Sequence, residues 1–80
     1  MTITTPAGNK VRCTSNRRFW VIEDIETRDG QPRQATTLLR TDNSATARMK
    51  VRRKGGGALF TEKHKTTFVI FDSFRQEFIR

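Results

Sequence analysis

The sequence is poor in the residues that most often carry chemistry. It has one cysteine, Cys13, and one histidine, His64. A single cysteine excludes an intramolecular disulfide and a cysteine zinc cluster within one chain. No histidine or acid lies near Cys13 in sequence to activate it, so it reads as a small core side chain. His64 sits in the charged stretch TEKHK and reads as solvated or phosphate-facing rather than as a general base. Acids are scarce too, 8 against 16 basic residues. Glu23, Asp24 and Glu26 cluster, but neighbouring side chains on a strand point to opposite faces, and their spacing is not that of a calcium loop. We therefore expect no catalytic constellation, no metal and no cofactor. No apolar run approaches the length of a membrane span, and MTITTPAGNK lacks the apolar core of a secretory signal. These absences predict a cytoplasmic protein that does not engage a membrane.

What is present is charge, aromatic rings and local alternation. Eighty residues suit one domain, and a chain this short buries only about 60% of its unfolded surface. Hydrophobic content of 34% beside 30% charged residues is near the lower limit for folding alone. Seven aromatic residues and only two prolines argue against disorder. Residues 1–9, Thr-rich with Pro6 and Gly8, read as a flexible arm, and 10–80 as a single small basic β-rich domain. Oligomerisation would enlarge so small a core. A homodimer, through an exposed edge strand or the second apolar face of residues 19–25, fits the sequence.

Residues 10–16 read as a first strand with Val11 and Cys13 on one face. The segment RRFWVIEDIET, 17–27, is the strongest strand, rich in the β-branched and aromatic residues that suit a pleated surface. Asp29-Gly30 signals a hairpin, after which QATTLLR returns. SATARMKVRRKGGG, 44–57, places Ala45, Ala47, Met49 and Val51 on one side when read two residues at a time. Thr46, Arg48, Lys50, Arg52 and Lys54 fall on the other. That alternation predicts a half-buried strand with a cationic outer row. A helix starting near Asp42 or Ser44 is the rival reading. Under the strand reading, segments 17–28, 33–41 and 45–54 form an antiparallel meander, with Glu23, Asp24 and Glu26 pairing across the sheet to the basic row. The glycine triplet reads as a flexible loop able to mould to a ligand. Residues 58–61 form a short strand, 62–66 a turn, and TFVIFD, 67–72, a central strand. Ser73 and Gln76 match a capping box, which predicts a short C-terminal helix over 74–80; continuation as a strand is the alternative. The fold class expected is α+β: a small, mainly antiparallel sheet, meander or partly open barrel, with that helix.

The net charge of +8, with 11 Arg among the 16 cations, points to an anionic partner. Candidate anion-binding residues are Arg48, Lys50, Arg52, Arg53 and Lys54, bordered by Lys63 and Lys65. A cationic row of this kind tracks a phosphate backbone. Phe19, Trp20, Phe60 and Phe68 are candidates for stacking on single-stranded bases. The sequence thus predicts a non-catalytic nucleic-acid-binding protein. The alternative is a small phage- or plasmid-type inhibitor or adaptor that binds an acidic surface of a host protein or nucleoprotein complex. The segments FWVIED and FVIF resemble the aromatic strands of cold-shock and other OB-fold proteins. The glycine–aromatic alternation of that family's first RNA-binding motif is absent, and no site residue is carried over.

Overall fold

The computed structural model describes residues 1–13, 17–56 and 58–79. In chain order these form β1 (Thr2–Thr4), β2 (Lys10–Arg12), β3 (Phe19–Thr27), β4 (Pro32–Thr41), α1 (Ser44–Arg53), β5 (Ala58–Phe60), β6 (His64–Asp72) and β7 (Glu77–Ile79). The class is α+β, small and mostly antiparallel, as the composition implies. β3 lies at the centre, flanked by β4 and β6, and the order across the sheet is β4-β3-β6-β5. β7 also pairs with β6, beyond β5 along the same strand. β4 and β5 do not pair, so among the described residues the sheet stays open and no barrel closes.

Alternation along β3 divides the core in two. Phe19 and Val21 pack with Ile70 and with Ala47 of α1. Trp20 and Ile22 face the other way and pack with Phe71, Ile3, Val11 and Cys13. The sheet is therefore sandwiched between α1 and the β1–β2 hairpin. Both apolar faces of 19–25 are covered within the chain, so the second face is not free for the homodimer contact that the sequence suggested.

The first nine residues depart from the expectation of a flexible arm. β1 pairs antiparallel with β2, and Ile3 enters the core. The turn between them is held from β3. Asp24, buried, accepts hydrogen bonds from Thr5 Oγ1 at 2.6 Å, Asn9 Nδ2 at 2.7 Å and the Ala7 backbone N–H at 3.1 Å. Glycine is needed here: Gly8 has φ of 96°. The first strand is also shorter than 10–16, and residues 14–16 lie outside the described part of the chain.

Two further elements differ from expectation. Residues 44–53 are helical, so the expected meander has only two of its three strands. The second neighbour of β3 is β6, in continuous register from Phe19 opposite Asp72 to Thr27 opposite His64. That strand begins at His64, inside the segment expected to be a turn. At the other end, 73–76 is a turn and Glu77–Ile79 reverses to pair with β6; Arg80 lies outside the described residues. The helix is thus internal, not C-terminal. The carboxylate of Asp72 explains the failed capping box. It takes the N–H groups of Phe74 at 3.0 Å and Arg75 at 3.2 Å. Ser73 Oγ meanwhile faces the Arg17 and Arg18 carbonyls instead of capping a helix. Gln76 adopts φ of 56°, which ends any helical continuation.

Candidate nucleic-acid interface

The chain entering α1 turns at Asp42-Asn43. Asn43 is the N-cap, its Oδ1 accepting from the Thr46 N–H at 3.1 Å. Ala, Arg, Met and Lys fill most of the following positions, and all favour a helix. This preference overrides the two-residue alternation. Ala47 is fully buried against the sheet and Val51, one turn later, is half-buried. These two residues suffice to dock the helix. Ala45 and Met49, assigned by the strand reading to the buried side, are instead exposed, and Met49 is 50% accessible.

The glycines that follow have a definite task. The Gly55 N–H bonds to the Arg52 carbonyl at 3.2 Å and the Gly56 N–H to the Val51 carbonyl at 3.0 Å. This is a Schellman cap, and the φ values of 115° and 81° are ones that glycine alone adopts readily. Both N–H groups point back into the helix and are not available to cradle a phosphate. The loop also sits at the negative end of the helix dipole. Gly57 lies outside the described residues.

The helix changes how the candidate cations are laid out. As a strand, Arg48 to Lys54 would span roughly 20 Å; as a helix the same residues rise only about 9 Å and fan around the axis. Arg48 and Arg52 fall on one flank, one turn apart. They rim an open groove of about 330 Å³ with Val51, Phe68, Ile70 and Ile79 among its lining. Lys50, Arg53 and Lys54 lie at other angles around the helix, with Arg53 and Lys54 exposed and Lys50 half-buried.

Lys63 and Lys65 do not join this group through a common face. Lys63 is exposed in the turn before β6. Lys65 is paired in register with Glu26 and Phe60, and its Nζ lies 3.8 Å from the Glu26 carboxylate. It shares the face of Asp24 and Glu26, opposite α1.

Five of the eight acids are engaged elsewhere. Asp24 holds the β1–β2 turn and Glu26 meets Lys65. Asp42 meets Arg17 at 2.8 Å, Asp72 meets Arg18 at 3.0 Å, and Glu77 meets Arg75 at 3.3 Å. The expected cross-sheet pairing of residues 23–26 with the basic row is therefore replaced by these contacts. Among the described residues, Lys50, Arg52, Arg53 and Lys54 make no ion pair.

No family model, curated protein or solved structure matches this chain.

Arg18 and Asp72 form the most developed polar contact. The guanidinium is bidentate on the carboxylate, Nε and Nη2 each at 3.0 Å. Its Cζ also lies over the rings of Phe19 and Phe74, at 4.9 and 5.4 Å. The Arg18 hydrogen bond is the main cause that lowers the Asp72 carboxyl below the ordinary aspartate value, against the opposing effect of burial. Asp42 is lowered by the Arg18 backbone N–H and then by Arg17. Burial raises the Cys13 thiol, away from the thiolate that nucleophilic chemistry needs. No group of three or more metal-ligating side chains comes together among the described residues, and no helix there is long and apolar enough to cross a membrane.

Of the proposed stacking residues, Phe19, Trp20 and Phe68 are buried in the core. Phe60 is 62% exposed, and Phe74, which sequence reasoning assigned to a helix packed on the sheet, is 70% exposed.

Proposed function

We propose that this protein binds nucleic acid without catalysing a reaction, using α1 to contact the phosphate backbone. The observation that carries the reading is the pairing pattern. Five cations lie between positions 48 and 54 with no acid among them, and Lys50, Arg52, Arg53 and Lys54 are left without an ion-pair partner among the described residues. Basic residues in a last helical turn also stabilise the helix by opposing its dipole. That effect accounts for one or two such residues and is weak at exposed positions. Arg, with its planar fork, suits phosphate oxygens better than a role in solubility alone.

The test is a charge reversal. Arg52→Glu with Arg53→Glu should abolish binding of labelled DNA and RNA in a gel shift while circular dichroism stays that of the wild type. Unchanged binding by the folded variant contradicts the reading. Met49, half-exposed on the outer side of α1, favours one second reading: an adaptor that lays the same helix on an acidic protein surface. That reading predicts no nucleic-acid affinity at physiological salt.

A further inference from the structure

We infer that Phe60 is a stacking platform for an unpaired nucleobase, so that the ligand is single-stranded where it passes the β5 edge. This rests on the nucleic-acid reading of α1 and specifies its ligand. Phe60 ends a three-residue edge strand and is 62% exposed, whereas Phe19, Phe68 and Phe71 are buried. Two cations accompany the ring. Arg28 Cζ lies 5.3 Å and Lys65 Nζ 5.6 Å from its centroid. Each is anchored independently: Arg28 Nη1 donates to the Thr61 carbonyl at 2.9 Å, and Lys65 meets Glu26. Both cations lie over the ring in cation–π contact, and the exposed remainder of the 62% accessible residue offers a base its stacking partner.

The topology excludes a duplex from using both sites. Phe60 is in register with Lys65 and Glu26, on the opposite side of the sheet from α1. The chain leaving α1 reaches Phe60 within six residues of Lys54, so β5 is the short edge between the two. Duplex DNA, with a persistence length of about 50 nm, does not turn around such an edge. Its bases are also stacked on one another and closed to a phenyl ring. A single strand bends freely and presents bases one at a time. Glu26 and the exposed Glu62 offset two of the three cations Arg28, Lys63 and Lys65, so this corner contributes mainly stacking.

The experiment measures fluorescence anisotropy of a labelled oligothymidylate and of a duplex of equal length, across a salt series. Phe60→Ala should weaken single-strand binding between about fivefold and a hundredfold, with the salt slope and the duplex affinity unchanged. Phe60→Leu, which keeps apolar bulk without a flat ring, should behave as the alanine variant. Phe60→Trp should retain affinity and show quenching on binding. Thermal melts of all three confirm that folded proteins are compared. Wild-type affinity in Phe60→Leu overturns the platform, because bulk alone then suffices. Wild-type affinity in Phe60→Ala, with loss in Arg52→Glu/Arg53→Glu, overturns the platform and leaves the α1 reading standing. A wild-type protein that binds neither ligand at low salt overturns both.

Discussion

Asp72 joins two ends of the structure that lie far apart in sequence. It is 2% exposed, holds Arg18 just before β3, and organises the turn that leads into β7. Because its folded pKa is depressed, the linked stability is fully present above the unfolded aspartate value of about 3.9. It is lost as pH falls through the lower folded value. Melting temperature measured against pH should therefore fall on the acid side of that range. In Asp72→Asn the melting temperature should be lower at pH 7, and the acid decline should be shallower. An acid decline identical in the two proteins would show that other carboxylates carry it. This residue also explains why the C-terminus misleads. Ser73 and Gln76 have helix-capping spacing, but the spacing does not reveal that a buried carboxylate one position earlier takes the N–H groups first. The N-terminal hairpin was hidden for a related reason. Thr5 and Asn9 are polar and turn-forming, and only the buried Asp24 turns them into a fixed contact.

Among the elements, β3 and the hairpin to β4 were legible. Phe19–Thr27 combines aromatic and β-branched residues with a clear turn signal, and every local preference agrees with the fold. α1 was not legible, because two periods fit the same residues. Alternation by two sorts Ala45, Ala47, Met49 and Val51 from the cations. A helix needs only Ala47 and Val51 on its inner side. The deciding signals were Asn43 before the segment and the glycines after it, and both also read as ordinary turn formers. The cationic identity of 48–54 could be seen in the chain; its fan-like arrangement and the separation of Lys65 could not. The Schellman cap is open to direct test. Gly55 has φ of 115°, and a Cβ there would lie 3.0 Å from Leu59 Cδ2. Gly55→Ala should destabilise the protein by about 1–3 kcal/mol in urea denaturation. A neutral effect would mean that the turn relaxes without cost.

At the scale of the molecule, one sheet is covered on both faces, and no acid lies within α1. Trp20 and Ile22 meet the hairpin while Phe19 and Val21 meet the helix, so each face of the sheet carries its own small core. The net charge of +8 is consequently uneven. Asp24 and Asp72 lie inside; Glu26, Asp42 and Glu77 neutralise cations of the sheet and turns. On α1 the cations without an ion pair are Lys50, Arg52, Arg53 and Lys54; Lys10, Arg12, Arg28, Arg33, Arg40 and Lys63, spread over β2, β4 and the turns, also make none among the described residues. Binding through such a helix releases counterions in proportion to the phosphates neutralised. The most direct test is the affinity for nucleic acid as a function of salt. Four phosphate contacts predict a fall of log K with log salt at a slope of about −3.6 on B-DNA and about −2.8 on a single strand. A slope near zero would contradict the central claim.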